Sequence, residues 1–205
     1  MLLWVICILS GLTSFYFFTV IYQPILPLLI AMAAISLAYA LPVYKKGDEW
    51  LRLRDIPGVK IFLIAIVWSL VTEGFPALMS GNTIKVLPLI ERFLFIFAIT
   101  IPFDIRDMRF DDHNLSTIPQ YFGVRKARWI GVVALLFAEL ILAYRFFFMD
   151  HFNLLGIIAI YLTYELSVLL IYKSHPQLQE RFVTMGVEGM SILIGLLFYL
   201  SQILW

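Results

Sequence analysis

The chain has 205 residues, of which 62% are hydrophobic, and a mean hydropathy of +0.93, whereas apolar residues make up only about half of an ordinary soluble domain. Its net charge of +1, with no dense basic stretch interleaved with aromatic residues, excludes nucleic acid as a partner. The single cysteine, Cys7, excludes a disulfide framework and a cysteine-ligated metal site.

Apolar runs of about 20 residues, the length that an α-helix needs to cross a bilayer, recur along the whole sequence. Proline, glycine and charged residues separate these runs. We therefore predict an all-α fold, an integral, multi-pass transmembrane helical bundle in which residues 1–205 form a single domain. The seven predicted helices are Leu2 to Tyr22, Ile25 to Leu41, Val59 to Leu78, Ile84 to Phe103, Trp129 to Met149, Phe152 to Tyr172 and Met185 to Trp205.

The links between the predicted helices alternate in length. Three short links join antiparallel neighbours at one membrane face, and three longer, polar links share the other face. The short links are Gln23-Pro24, Ser80 to Thr83 and Asp150-His151. The longer links are Val43 to Gly58, Asp104 to Arg128 and Lys173 to Thr184.

Positive charge is concentrated on or beside the longer links, which account for twelve of the fifteen Lys and Arg residues. Only Lys85, Arg92 and Arg145 remain for the other face or for the spans. Because cytoplasmic loops carry the excess of Lys and Arg, the face of the longer links and the N-terminus are predicted to be cytoplasmic, and the C-terminus external. In a bacterium this membrane would be the inner membrane.

Three aspartates, Asp104, Asp107 and Asp111, follow the fourth predicted span at spacings of three and four residues. At about 100° per residue they fall within one face of a helix. Such crowding of like charge favours a bound cation, and carboxylate oxygens suit Mg²⁺, which commonly bridges to phosphate oxygens. The spacing alone also fits a solvated helix end flanked by Arg106 and Arg109.

The stretch from Ile101 to Gly123 resembles the second aspartate motif of the UbiA family of intramembrane prenyltransferases. That motif reads D-x-x-D-x-x-x-D, followed by a short polar stretch, T-[LI]-P and a glycine. The segment YALPVYKK, which begins at Tyr39, is similar to the family's Tyr-x-x-Pro segment with a following basic residue. The residues that match the aspartate motif are Asp104, Asp107, Asp111, Thr117, Pro119 and Gly123.

The resemblance implies Mg²⁺-dependent transfer of a prenyl group from an allylic prenyl diphosphate to an aromatic or other lipophilic acceptor, as in quinone biosynthesis. In this interpretation Asp104, Asp107 and Asp111 hold Mg²⁺, and Tyr39 lies near the allylic cation. Lys45 and Lys46 are, with Tyr39, the implied catalytic residues, because either lysine can add a cation to the departing diphosphate. The implied substrate-binding residues are Lys45, Lys46, Arg106 and Glu188. For the lysines the alternative is the positive charge of any cytoplasmic loop, and for Tyr39 an interfacial aromatic residue.

The family arranges nine spans, with aspartate motifs after the second and the sixth. The seven predicted helices then correspond to the family's third to ninth, and the N-D-x-x-D motif has no counterpart because no acidic residue precedes Asp48. We therefore expect an N-terminally truncated piece of such an enzyme. Two alternatives stay open: an inactive remnant, and a non-enzymatic membrane protein that binds a cation or a partner through its aspartates.

Ionisable residues inside the predicted spans are further candidates, because a charged group in hydrocarbon is costly and is commonly functional. Glu91 and Arg92 lie near the external end of the fourth span, where they are either solvated or paired with other helices. The candidates are Glu73, Glu91, Arg92, Glu139, Glu165 and Glu188.

Overall fold

A computed structural model describes residues 2–47, 49–56, 58–109, 117–149 and 153–203. The fold is all-α, with one short antiparallel hairpin in which Lys45 pairs with Trp50. Leu53–Asp55 forms a 3₁₀ turn, and two single π-helical turns, Leu70–Gly74 and Thr184–Glu188, join consecutive helices. The helices and strands are α1 Leu2–Ala40, β1 Tyr44–Lys46, β2 Glu49–Leu51, α2 Val59–Ser69, α3 Phe75–Met79, α4 Val86–Asp107, α5 Ile118–Phe122, α6 Val124–Phe148, α7 Leu154–Lys173, α8 Glu180–Val183 and α9 Gly189–Ile203.

Four helical segments within the described residues are long and apolar enough to cross a membrane, as expected of an integral membrane protein. They correspond to the third to sixth predicted spans, with ends that differ by a few residues. The segments are Val59–Met79, Val86–Asp107, Val124–Phe148 and Leu154–Lys173. The shorter apolar helical segments are Trp4–Phe17, Pro24–Ala40 and Met185–Leu197.

The predicted turn at Gln23-Pro24 is wrong, because α1 runs without a break from Leu2 to Ala40. At about 1.5 Å per residue this helix is roughly 58 Å long, and it contains Pro24 and Pro27. Each proline removes one backbone hydrogen bond, whereas a turn would leave several N–H and C=O groups unsatisfied at two new helix ends among apolar residues. A continuous helix therefore leaves fewer backbone groups unsatisfied, and costs less free energy, than a turn that reverses the chain. The predicted cytoplasmic N-terminus depended on that reversal.

The π-helical turn that joins α2 to α3 accommodates Pro76. Proline has no N–H for the carbonyl four residues earlier, and its ring crowds that carbonyl. The helix widens, and the N–H of Phe75 bonds to the carbonyl of Leu70. At this turn α1 packs closely, since a Cβ atom added to Gly74 would lie 3.2 Å from Cδ2 of Leu28. The span from Val59 to Met79 therefore continues through its proline.

Helix α4 lies at the centre of the bundle and packs against α2, α6 and α7. Its residues from Phe95 to Pro102 are all buried, so the helix is covered on every side along this stretch. Helix α4 approaches α6 closely at Gly131, where an added Cβ would lie 3.1 Å from Cδ1 of Ile101 on α4 and 3.3 Å from Cδ1 of Ile171 on α7. The packing around α4 brings polar groups near both of its ends into the protein interior.

We expect Gly131→Leu to destabilise the fold by roughly 1–3 kcal/mol, the usual cost of overfilling a packed interior. Gly195→Leu is the matched control, because an added Cβ there meets nothing within 4 Å and the gain in helix propensity is the same. Thermal unfolding in detergent compares the two variants. Equal melting temperatures would contradict the close packing of α4 on α6.

Contacts between helix termini define two ends of the bundle. At the first, which we call the aspartate end, the start of α2 meets the end of α4 through Lys60 and Asp104, and Arg128 at the start of α6 donates a hydrogen bond to the carbonyl of Ser174 after α7. At the opposite end, Glu91 near the start of α4 meets Arg145 near the end of α6. The helices therefore alternate in direction, as a multi-pass bundle requires.

Candidate functional site

Asp104 and Asp107 lie on the last turn of α4, because the helix continues four residues beyond the predicted end at Phe103. They are three positions apart, so their side chains leave neighbouring positions on one helical face. Asp111, the third predicted metal ligand, lies outside the described residues. The structure therefore describes two of the three predicted carboxylates, and it places them on a helix.

Asp104 is almost completely buried, with 2% of its side chain exposed. Its helical neighbours Ile101 and Ile105 are fully buried, as is Ile61 at the start of α2. A carboxylate at a solvated helix end would be exposed, so that interpretation is wrong for Asp104. Burying a carboxylate is costly unless a cation or several donors compensate it, and the structure supplies a cation.

That cation is the ammonium group of Lys60. Its Nζ lies 3.2 Å from Oδ1 of Asp104 and 3.7 Å from Oδ2 of Asp107. Both carboxylates thus converge on one point, which we call the shared cation position. Lys60 is the second residue of α2, which begins after Gly58 in a left-handed conformation (φ 74°). Because α2 and α4 are antiparallel, the start of one helix faces the end of the other.

Arg106 supplies a second cation to this cluster. Its Nε and Nη2 lie 2.8 and 2.6 Å from the same oxygen, Oδ1 of Asp107. Its guanidinium group also lies 5.4 Å from the centre of the Phe103 ring, within the range of a cation–π contact. The predicted substrate-binding residue Arg106 therefore lies in the site, held by Asp107 and an aromatic face.

The charges of this cluster oppose the preferences of the helices that carry them. A helix C-terminus disfavours negative charge and an N-terminus disfavours positive charge, yet Asp104 and Asp107 end α4, and Lys60 begins α2. Each group is tolerated because it faces the opposite charge on the other helix. When several residues at one place all go against the charge preference of their helix end, that place is commonly a functional site.

The other predicted site residues lie on elements around the aspartate end. Tyr39 is half-buried near the end of α1, and Lys45 is exposed on β1. Lys46 follows on β1, but its side chain lies outside what the structure describes. Glu188 is exposed in the second π-helical turn. Among the described residues, Tyr39, Lys45 and Glu188 form no ion pair or hydrogen bond with Asp104 or Asp107.

Lys60 was missed as a site residue, because its position at the edge of a span made it one more positive charge at the cytoplasmic face. The signal that identifies it is topological. Antiparallel spans bring the start of the third predicted span beside the end of the fourth, so a lysine at one faces the aspartates at the other. Counting the charges on each link does not take into account which helix ends lie side by side.

A second polar cluster, Glu91 with Arg145 and Tyr164, lies towards the other end of the bundle. Glu91 is 5% exposed, and its Oε2 accepts a short hydrogen bond from Nη1 of Arg145. Its Oε1 accepts a hydrogen bond of 2.9 Å from the hydroxyl of Tyr164, whose ring stacks on Phe95. Of the two open alternatives for Glu91, pairing with other helices is therefore confirmed. The cluster ties α4, α6 and α7 together.

Three of the remaining candidates inside the spans have fewer polar contacts than Glu91. Glu139 is 6% exposed on α6, and its Oε1 is buried without a hydrogen-bond partner among the described residues. Glu165 is exposed on α7. The guanidinium group of Arg92 lies 5.9 Å from the centre of the Phe95 ring. None of these three belongs to the aspartate cluster.

Within the part of the chain that the structure describes, no three His, Cys, Asp or Glu side chains come together as a metal site. Two carboxylates and two cations form the site, and the position of the third aspartate is not described. Comparison of the chain with protein-family models, with curated proteins and with solved structures gave no match.

Proposed function

We propose that this chain forms part of a UbiA-like prenyltransferase site: it binds a Mg²⁺–prenyl diphosphate complex at Asp104 and Asp107, from which the complete site transfers the prenyl group to a lipophilic acceptor. The observation that carries the proposal is the convergence of two carboxylates on one cation position at the end of an apolar bundle. A prenyl diphosphate matches this arrangement, because its anionic diphosphate fits the charged end of the bundle and its prenyl chain fits the apolar interior.

The chemistry of the donor set fits Mg²⁺. The metal prefers carboxylate oxygens, keeps several waters and usually takes only one or two protein carboxylates together with phosphate oxygens. Asp104 and Asp107 already direct one oxygen each to the same point. Asp111, four residues after Asp107 in the sequence, would add a third carboxylate. Under this proposal the three residues are the metal ligands.

The chain's own residues would bind and orient the donor. When bound, Mg²⁺ stabilises the negative charge that develops on the departing diphosphate. Lys60 and Arg106 are placed to contact diphosphate oxygens, because both already lie at the carboxylates. The buried apolar residues of α4, such as Ile101, keep water away from the allylic carbon. Tyr39, Lys45, Lys46 and Glu188 remain proposed contributors from the surrounding elements.

Under this proposal the helices belong to a larger bundle of the UbiA type. In that bundle an opposing aspartate motif completes the metal site. A cytoplasmic aspartate end belongs to this proposal. The concentration of Lys and Arg on the links at the aspartate end supports the orientation. Because the opposing motif has no counterpart in this sequence, we expect the chain by itself to bind the donor and to show little turnover.

A second candidate is a non-catalytic remnant in which the cluster serves only to hold α2 against α4. The balanced charges favour it, since Lys60 and Arg106 neutralise the two carboxylates without a metal. The two candidates differ in what they predict for binding. A structural cluster has no reason to bind a prenyl diphosphate, with or without Mg²⁺.

The experiment is a titration of the purified full chain in detergent with farnesyl diphosphate, in Mg²⁺ and in EDTA. The proposal predicts saturable binding in Mg²⁺ that is lost in EDTA, and no comparable binding of farnesol, which lacks the diphosphate. Binding that is the same for farnesol, or indifferent to EDTA, would reflect partition of the apolar chain and would reject the metal-dependent site in favour of the second candidate.

A further inference from the structure

Lys60 occupies the position on which one oxygen from each carboxylate converges, and a metal held by these two oxygens fits the same position. Its ammonium nitrogen is the atom on which Oδ1 of Asp104 and Oδ2 of Asp107 converge, at 3.2 and 3.7 Å. A metal at this position and the ammonium group exclude one another by size and by like charge. A cation that binds at this position must therefore displace Lys60.

The free-energy cost of displacing Lys60 from the carboxylates depends on whether a metal, a diphosphate or both are bound. The Lys60 side chain is 30% exposed while it pairs with the carboxylates, so these carboxylates, and not water alone, compensate its charge. A metal ion arriving alone would leave this ammonium group beside a divalent cation and without its two counter-charges. A diphosphate arriving alone would meet carboxylates that repel it and a lysine already neutralised.

The two ligands together remove both costs. The metal takes the carboxylates, and the ammonium group released from them gains diphosphate oxygens as its new partners. Each ligand thus makes the binding of the other more favourable, and the coupling must act equally in both directions. Lys60 is the element that creates this coupling, because it is the charge that changes partner.

We propose that Lys60 is a resident counter-cation: it holds the shared cation position of Asp104 and Asp107 until a divalent metal and a diphosphate arrive together, and then transfers to the diphosphate. The inference rests on the proposed function and adds to it a competition between lysine and metal. It makes Lys60 a binding residue with two successive partners. Arg106 contacts Oδ1 of Asp107, whereas Lys60 contacts Oδ2, so Arg106 does not hold the shared cation position.

The test measures Mn²⁺ binding by the electron paramagnetic resonance signal of the free ion, with Mn²⁺ in place of Mg²⁺. The full chain in detergent is titrated with Mn²⁺ alone and with Mn²⁺ in saturating farnesyl diphosphate. Lys60→Met removes the competitor at nearly constant length. Lys126→Met is the matched control, because Lys126 is exposed at the start of α6, at the same end of the bundle.

For the wild type and Lys126→Met we expect weak binding of Mn²⁺ alone and tightening by farnesyl diphosphate within the usual range of about 5- to 150-fold. For Lys60→Met we expect Mn²⁺ alone to bind roughly tenfold tighter, with most of the tightening by farnesyl diphosphate lost. Lys60→Arg, which restores a cation, should recover part of the coupling. Unchanged affinity of Lys60→Met for Mn²⁺ alone, while the wild type binds both ligands, would overturn this inference and leave the proposed function intact.

A second measurement uses the wild type and does not depend on the folding of any variant. Reductive dimethylation followed by mass spectrometry reports how reactive the amine of Lys60 is. We expect low reactivity without ligands, higher reactivity with Mn²⁺ alone, and renewed protection with Mn²⁺ and farnesyl diphosphate together. Reactivity that ignores Mn²⁺ would overturn the competition. Failure of the wild type to bind farnesyl diphosphate in any metal would instead reject the proposed function itself.

Discussion

Asp104→Asn is expected to weaken Mg²⁺-dependent binding of farnesyl diphosphate by more than about 100-fold. Loss of a partner outside the ligand shell of a metal already costs roughly 10- to 100-fold in affinity, and Asp104 is the more buried of the two proposed ligands that the structure describes. The amide keeps the shape of the carboxylate and removes its charge. Binding isotherms in Mg²⁺, with melting temperature as the check on folding, measure the effect.

Glu165→Gln provides the control for Asp104→Asn, because it neutralises an exposed acid on α7, away from the aspartate cluster. We expect its affinity to equal that of the wild type. Asp107→Asn should also weaken binding, by less than Asp104→Asn, because Arg106 shares that carboxylate and part of its charge is already neutralised. A folded Asp104→Asn protein that binds as tightly as the wild type would remove Asp104 from the site.

Arg145→Met is expected to have the largest effect on stability, a loss of about 3–5 kcal/mol in the free energy of unfolding. It leaves Glu91, 5% exposed, without its charged partner inside the bundle, and removing one member of a buried ion pair costs about that much. Tyr164→Phe removes only a neutral donor, and hydrogen bonds within membrane proteins contribute about 0.6 kcal/mol on average. Unfolding in mixed micelles with increasing sodium dodecyl sulfate measures these differences.

The double variant Glu91→Leu with Arg145→Met completes a thermodynamic cycle. Replacing both members of a buried ion pair by apolar side chains is often neutral, so we expect the double variant to lie within about 1 kcal/mol of the wild type. Stability changes that simply add, with the double variant worse than either single one, would show that the pair is not coupled. Lys85→Met, at the exposed start of α4, controls for loss of a positive charge near this end of the bundle.

Length and hydropathy predicted the central spans because both signals are local. The segment from Val59 to Met79 crosses a proline and was still predicted as one helix, since its apolar character is continuous. The same reasoning fails at Gln23-Pro24, where a glutamine and a proline predict a turn but the helix continues. Whether such a pair ends a helix depends on how the backbone groups of a broken helix would be satisfied, which hydropathy does not measure.

The candidate site was partly predictable. The spacing of Asp104 and Asp107 predicted a shared helical face, and the structure places both on the last turn of α4. The sequence does not show that Asp104 is buried, because burial depends on α2 packing against α4. Glu91 and Arg145 are 54 positions apart in the sequence. They can pair only because α4 and α6 place them at the same level along the bundle. Such long-range pairs require the helix arrangement, which a single sequence does not fix.

The most direct test of the central claim is electron–nuclear double resonance of Mn²⁺ bound to protein labelled with ¹³C in its aspartate carboxyl groups, in the presence of farnesyl diphosphate. We predict hyperfine coupling from the same Mn²⁺ to ³¹P and to ¹³C, with the ¹³C coupling reduced in Asp104→Asn. Both couplings would place metal, diphosphate and aspartate in one complex. Coupling to ³¹P alone in the wild type would mean that the metal–diphosphate complex does not use these carboxylates, and would contradict the account.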